Sequence, residues 1–93
     1  MRQITPYHQF DYAGATIHVY HANQGDGLIK HLHDWNHATM CNAGSCLVRV
    51  KGKEYTLTAA SQPLDLPARE FHEIEALEDG TVFVNVFAKQ TQS

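Results

Sequence analysis

The sequence predicts an all-β domain, built as a sandwich or a closed barrel. Seven or eight short segments are extended in character, and most of them alternate between apolar and polar residues. That alternation is the period of a strand with one buried face. Turn-forming residues separate the segments, and no segment has the period of an amphipathic helix. Many short strands joined by turns are typical of antiparallel two-layered or closed architectures.

Each strand is predicted from its own pattern, in chain order. Residues 15–22 alternate and are rich in β-branched side chains, and residues 81–88 form the most apolar run of the chain. A tight turn is predicted at Lys51-Gly52-Lys53 and another at Asp79-Gly80. The strands predicted between the two outermost ones are residues 28–33, 37–41, 45–50, 54–58, 64–66 and 71–77.

Length and composition indicate one small domain that spans residues 1–93, with a barrel core over about residues 15–88. The formal charge of −3 and the scattered Lys and Arg residues argue against a nucleic-acid surface. No apolar run approaches the length that spans a membrane, so no membrane partner is expected. The N-terminus lacks the apolar centre of a secretory signal, and a cytoplasmic location is therefore expected.

The histidines between Gly25 and Gly44 are the most informative feature of the chain. His31 and His33 share one face if their segment is extended, because alternate residues of a strand point the same way. The bend at residues 34–36 can return His37 toward them, or, if the bend is longer, leave His37 behind a site completed by the other three histidines and water. His72 must arrive from another part of the sheet, which requires a closed or strongly curved architecture. Four imidazoles brought to one point would make a transition-metal site.

Strand faces also predict which residues lie near such a site. Thr39 and Cys41 share the face of His37, and Ile74 shares the face of His72. Trp35 lies in the bend between the histidines, where it could cap the mouth of the pocket or pack against the rim. We therefore name Trp35, Thr39, Cys41 and Ile74 as candidate pocket-lining residues. A buried, purely structural thiol is the alternative for Cys41.

The stretch from Gly25 to Gly44 resembles the first sequence motif of the cupins, G-x5-H-x-H-x3-4-E-x6-G, with His37 where the family usually has Glu. Farther along, Pro67 and His72 match the second motif, G-x5-P-x-G-x2-H-x3-N. Three positions of that second motif depart from the family pattern, namely Ser61, Arg69 and Ala76. The resemblance implies a single-domain cupin, a double-stranded β-helix of the jelly-roll type.

The histidine at position 37 makes the chain similar to a subgroup of small cupins with four-histidine metal sites. That resemblance implies a divalent transition metal, one of Fe, Mn, Ni, Cu, Co or Zn, held by four residues: His31, His33, His37 and His72. Neutral imidazoles leave the charge of the ion uncompensated, whereas a Glu would reduce it by one. Such a site should therefore favour an anionic or enolisable ligand.

Two functions of different classes remain open at this stage. One is a dioxygenase-like metalloenzyme that acts on a small oxygenated substrate, and it rests on the resemblance and on the positions that four protein ligands leave free on a metal. The other is a non-catalytic metal- or small-ligand-binding cupin, a sensor or accessory module. A homodimer is expected in either case, because residues 81–88 are apolar on both faces and small cupins commonly dimerise.

Overall fold

The computed structural model describes residues 1–88, and the final five residues of the predicted domain lie outside them. Within residues 1–88 the chain forms ten β-strands and no helix. In chain order the strands are β1 (Arg2–Gln3), β2 (His8–Tyr12), β3 (Ala15–Ala22), β4 (Asp26–His31), β5 (His37–Ala43), β6 (Ser45–Val50), β7 (Lys53–Thr58), β8 (Leu64–Leu66), β9 (His72–Ala76) and β10 (Thr81–Ala88). The all-β prediction is confirmed.

The strands form two five-stranded sheets. The first sheet has the order β1-β4-β9-β6-β7, and the second has the order β2-β3-β10-β5-β8. All pairs are antiparallel except the short β1–β4 pair. The chain crosses between the sheets after β1, β3, β4, β5, β7, β8 and β9, so each sheet is assembled from distant segments. This crossing is what brings histidines from separate parts of the sequence to one interior.

Most predicted strands have the observed bounds or differ by one or two residues. The strand predicted at residues 28–33 is observed at Asp26–His31, and the one predicted at residues 37–41 continues to Ala43. Two N-terminal strands, Arg2–Gln3 and His8–Tyr12, were not among the predictions. Every residue of both is exposed, so neither carries the alternation of buried and exposed positions on which the predictions depended.

The central strands of the second sheet align their inward-facing residues in rows across β3, β10 and β5. The three rows that matter for the site are the His37 row (Thr16, Phe87, His37), the Asn85 row (His18, Asn85, Thr39) and the Phe83 row (Tyr20, Phe83, Cys41). Successive rows are two residues apart on each strand, so their side chains point to the same side of the sheet. The His37 row thus contains a histidine and an aromatic ring, the Asn85 row is polar, and the Phe83 row is mainly apolar.

The apolar core fills the space between the sheets at the Phe83 end. Phe83, Ile74 and Val48 are fully buried, and the ring of Tyr20 stacks on Phe83 with centroids 4.8 Å apart. Full burial of such side chains contributes about 2–3 kcal/mol each. The opposite end of the interior holds the histidines, so the core anchors the sheets and leaves the polar end available for a site.

Candidate metal centre

The two glycines that frame the histidine stretch are required by the backbone. Gly25 and Gly44 have φ angles of +87° and +70°, in the region that L side chains rarely adopt. At Gly44 a β-carbon would also lie 2.5 Å from the hydroxyl oxygen of Thr81. These turns fix where β4 starts and where β5 ends, and so they set the placement of the histidines between them.

All four predicted histidines lie at one end of the interior. His31 ends β4, His33 follows in the loop, and His37 and His72 begin β5 and β9. His31 and His72 are direct register partners across β4 and β9, with ring centroids 4.5 Å apart. The ring of His33 lies 4.6 Å from that of His31 and 5.2 Å from that of His72. The ring of His37, from the other sheet, lies 5.0 Å from His72 and 5.2 Å from His33.

Three of these residues already place ring nitrogens in a common cluster. His31, His33 and His72 each offer a nitrogen atom, and these atoms all lie within 4.8 Å of one another. The Nε2 atoms of His31 and His33 are 3.0 Å apart. Nitrogens that bind one ion at about 2.1 Å are about 3 Å apart when they occupy adjacent octahedral positions. His37 is not part of this three-residue cluster, although its ring is adjacent to it.

Backbone carbonyls fix which nitrogen of two rings faces the cluster. Nδ1 of His31 lies 2.6 Å from the carbonyl oxygen of Ile29, and Nδ1 of His72 lies 2.9 Å from that of Glu70. A carbonyl can only accept, so Nδ1–H is the donor in each neutral ring. The lone pair of each ring is therefore on Nε2, as in histidines that bind metals in proteins.

Several ring nitrogens are buried without a hydrogen-bond partner among the described residues. They are Nε2 of His72 and both Nδ1 and Nε2 of His37. Buried polar atoms are nearly always hydrogen-bonded, and an unsatisfied one needs an explanation such as an ion. Imidazole donors suit Fe, Mn, Co, Ni, Cu or Zn, whereas Mg and Ca prefer oxygen ligands. The residues present thus fit a divalent transition metal.

Burial favours the neutral form of His33, His37 and His72, which is the form that binds a metal. Burial, together with repulsion from His31 and His72, lowers the pKa of His33 to about 4. Burial and the neighbouring His72 lower the pKa of His37 to about 3. Burial also lowers the pKa of His72, against the opposing effect of its hydrogen bond to Glu70. At neutral pH these rings therefore carry free lone pairs and no charge.

Two backbone hydrogen bonds connect the loop of the first motif to the turn that precedes His72. The amide of Arg69 donates to the carbonyl oxygen of His33 at 2.6 Å, and the amide of Ala68 donates to Oδ1 of Asn36 at 2.7 Å. Arg69 has a φ angle of +63°, at the position where the cupin motif has glycine. Arg69 thus adopts a left-handed backbone conformation that glycine would adopt without strain.

The candidate pocket-lining residues are placed as follows. Thr39 and Ile74 are fully buried, Cys41 is also buried, and Trp35 is 45% exposed in the loop between His33 and His37. The hydroxyl of Thr39 donates to Oδ1 of Asn85 at 2.6 Å. None of these four residues is among those that line the cavity beside the histidine cluster.

That cavity has a volume of about 340 Å³ and opens next to His31 and His33. His18, Tyr20, Asn85 and Phe87 form much of its wall. Sequence reasoning assigned no role to His18 or Asn85. A signal for Asn85 was present, since it is the one amide in an otherwise apolar strand, on the face of Phe83 and Phe87. Within residues 1–88, no helix is long and apolar enough to cross a bilayer.

Comparison with protein-family models and with curated proteins finds no match to this chain. Solved structures do match it. A cupin protein from Bacteroides fragilis has a TM-score of 0.71 at 21% identity, over 88% of this chain and 71% of that one. A cupin superfamily protein from Desulfitobacterium hafniense has a TM-score of 0.72 at 12% identity, over 87% and 72%. KdgF from a Halomonas species has a TM-score of 0.68 at 16% identity, over 92% and 89%.

Fold and site together define a class of protein: a small all-β domain with a histidine cluster at one end of the space between two sheets. Within that class, the solved structures that match the chain identify its fold as the cupin fold. The predicted fold, a jelly roll of the cupin type, is confirmed.

Proposed function

We propose that the protein is a metal-binding cupin in which four histidines, His31, His33, His37 and His72, hold one divalent transition metal. The observation that supports the proposal is the close approach of the four rings, in which nitrogens of His31, His33 and His72 lie within 4.8 Å of one another and the ring of His37 lies 5.0 Å from that of His72. Both sheets contribute, since β4 and β9 belong to one and β5 to the other. The metal is one of Fe, Mn, Ni, Cu, Co or Zn.

His37 is the fourth ligand in this proposal. His37 is 3% exposed, and its ring packs against Phe87 with centroids 4.5 Å apart. Its two ring nitrogens have no hydrogen-bond partner within residues 1–88. A carboxylate at this position would lower the net charge of the loaded site by one. With four imidazoles the site keeps the full charge of the ion and attracts anionic oxygen ligands more strongly.

The test is elemental analysis of tag-free protein beside its His37→Ala variant. We expect about one transition ion per chain in the wild type, and at least a tenfold weaker affinity in the variant. His8→Ala, which removes an exposed imidazole far along the sequence, is the matched control and should bind as the wild type does. A wild-type protein that neither retains nor takes up any of the six metals would refute the site, and equal affinity in His37→Ala would remove His37 from it.

For the reaction, we propose a dioxygenase-like activity on a small oxygenated substrate. The bound ion would supply polarisation of a substrate oxygen and electron transfer with O₂. The chain itself would supply the four ligands and the adjacent cavity of about 340 Å³, whose wall includes the buried Leu28 and the ring of Phe87. O₂ uptake by iron- or manganese-loaded protein, with diketones, catechols and thiols as substrates, tests this activity.

A non-catalytic binding module, such as a sensor, is the second candidate. It is favoured by the composition of the cavity, whose described lining contains no Asp, Glu or Lys to move a proton. For such a module, metal would raise the melting temperature while O₂ uptake stayed at the background rate with every substrate. Turnover above that of the His37→Ala variant would favour the enzyme instead.

We also propose a cytoplasmic location. Cys41 and Cys46 are both buried as free thiols, which agrees with a reducing compartment. Fractionation of cells that express the untagged protein is the direct test, and recovery outside the cytoplasm would contradict it.

A further inference from the structure

We infer that the cavity beside the histidines is a selective ligand site in which Asn85 donates a hydrogen bond to an uncharged oxygen acceptor at the end of the ligand far from the metal. His18, Tyr20 and Gln3 are the other polar residues of its wall, apart from the histidines of the proposed metal site. The inference rests on the proposed function, because the near end of the ligand is taken to reach the metal held by the histidines.

The orientation of Asn85 is fixed by a buried contact. Asn85 is 1% exposed, and its Oδ1 accepts a hydrogen bond from the hydroxyl of Thr39 at 2.6 Å. Thr39 is itself fully buried, so the carbonyl side of the amide is held in place. Among the described residues, the amide nitrogen of Asn85 donates to no partner, and the side chain lines the cavity. The NH₂ group is therefore available to a ligand acceptor.

The Asn85 row is the next row of the second sheet after the His37 row. Asn85 lies two residues before Phe87, whose ring packs against His33 and His37 with centroids 5.3 Å and 4.5 Å away. Two residues of strand correspond to about 7 Å. A ligand that reaches both the metal and Asn85 therefore spans about one aromatic ring.

His18 and Tyr20 lie beside Asn85, on the neighbouring strand β3 of the same sheet. Nδ1 of His18 lies 3.4 Å from the hydroxyl of Tyr20, and burial lowers the pKa of His18, so its ring is neutral. His18 is the direct register partner of Asn85, whereas Tyr20 lies in the next row. This pair adds polar atoms to the wall without adding charge.

The absence of charge in the wall limits the ligand. No Asp, Glu, Lys or Arg is among the described residues that line the cavity. A charged group at the far end would be buried without a partner, which costs more than burying a hydrogen-bonded carbonyl. The volume is at the small end of ligand pockets, which span about 300–1,000 Å³. The matching class is a single-ring or short-chain oxygen chelator with an uncharged carbonyl opposite the chelating oxygens.

The test compares three chelators of the same core by calorimetric titration into zinc-loaded protein, since zinc has no redox chemistry. They are catechol, which has no distal acceptor, 3,4-dihydroxybenzaldehyde, which has an uncharged one, and 3,4-dihydroxybenzoate, which has a charged one. We expect the aldehyde to bind the wild type about tenfold more tightly than either of the others, the effect of one well-placed hydrogen bond.

Asn85→Leu should reduce the ratio of aldehyde to catechol affinity to less than about twofold. Asn85→Asp is the second variant in case the first does not fold, because its carboxylate still accepts from Thr39 but has no NH₂ to donate. His21→Gln, on the outer face of the same strand as His18, should leave the ratio unchanged.

If zinc is bound, equal affinity for the three chelators would overturn this inference and leave the proposed metal site standing. The same holds if the ratio of aldehyde to catechol affinity is unchanged in both Asn85 variants. Failure of the wild type to bind zinc or any other transition metal overturns the proposed function and this inference with it.

Discussion

His37 is distinguished from the other three histidines by its hydrogen bonding. Both of its ring nitrogens are without partners among the described residues, whereas His31 and His72 each bond a backbone carbonyl through Nδ1. Leaving a buried polar group unsatisfied costs about 1–3 kcal/mol. Binding of an ion by a nitrogen of His37 would remove part of this cost. Substitution of His37 is therefore the most informative test of the proposed site.

The pKa values of His33 and His37 give a pH prediction for the chelated protein. Folding lowers the pKa of His33 to about 4 and that of His37 to about 3, from 6.5 in the unfolded chain. Below pH 6.5 the unfolded chain therefore binds more protons than the folded chain does. Stability is therefore complete above pH 6.5 and falls as the pH decreases from 6.5 toward 4. Urea denaturation in EDTA at several pH values measures this slope.

A matched variant separates this effect from general acid denaturation. In His37→Phe the titrating ring is replaced by one of similar size, so stability should fall less steeply over the same pH range. Identical slopes in the two proteins would contradict the assignment of the pH dependence to His37.

At the scale of elements, the site depends on the contact between two loops. The amide of Arg69 donates to the carbonyl of His33, and the amide of Ala68 donates to the side chain of Asn36. These bonds set the approach of the turn before β9 to the loop between β4 and β5. The placement of His72 beside His33 is thus fixed by backbone geometry as well as by the register with His31.

Arg69→Gly is predicted to stabilise the protein by about 0.5–1 kcal/mol. A non-glycine residue at a positive φ destabilises the folded state by about 1–2 kcal/mol, which glycine would avoid. The greater conformational entropy of glycine in the unfolded chain offsets about 0.5–1 kcal/mol of that gain. Little else is lost, because the Arg69 side chain is largely exposed and its ion pair with Asp34 is long, at 3.7 Å. Urea denaturation is the measurement.

Lys51→Gly is the comparison variant, since Lys51 has a φ of +53° in the turn between β6 and β7 and, among the described residues, makes only a long ion pair, at 3.9 Å, with Glu70. It should give a similar gain in the free energy of unfolding. A loss of stability in Arg69→Gly would mean that its side chain contributes more than its exposure indicates.

Elements with alternating patterns could be predicted from the sequence, and their relative placement could not. Strand β10 was predicted with its observed bounds, because its residues are almost all apolar and end at turn residues. The pairing of His31 with His72 depends on a register between strands more than thirty residues apart, which no local pattern encodes. For the same reason the alignment of His18 with Asn85 was missed, and with it the polar wall of the cavity.

At the scale of the whole molecule, a bound metal would join the two sheets. His31 and His72 belong to the first sheet and His37 to the second. Binding to the folded state alone stabilises it by about 3 kcal/mol at a hundredfold excess over Kd. For a domain of this size, about 1 kcal/mol corresponds to 4–8 °C in melting temperature. We therefore predict that EDTA lowers the melting temperature of the loaded protein by more than about 10 °C.

Thermal unfolding followed by circular dichroism checks this, with His37→Ala expected to show a much smaller difference. Coincident melting of the loaded and chelated wild type would contradict a metal that ties the sheets together.

We propose that the protein is a homodimer formed through the outer face of the second sheet. Ile17, Val84 and Val86 point to this face, and Phe10, the register partner of Ile17, is 48% exposed there. Apolar side chains grouped on a sheet surface indicate a partner surface. Sedimentation analysis should give twice the chain mass of 10.5 kDa, and Phe10→Lys should give the single-chain mass.

Tyr55→Lys is the control, because it also replaces an aromatic residue by lysine but lies on the first sheet. This variant should remain dimeric. A wild-type protein that sediments as a single chain at micromolar concentration would rule out this interface.

In the proposed site, the residue that would bind the metal and the residues that would select the ligand lie in different rows of the second sheet. Of the four proposed ligands, only His37 lies in one of these rows, and His18, Thr39 and Asn85 occupy the neighbouring row. In the proposed site, substitutions at those three positions would change which ligands the cavity accepts and would leave the four histidines in place. Such a division gives natural selection, or a protein engineer, a means to diversify specificity on a constant metal scaffold.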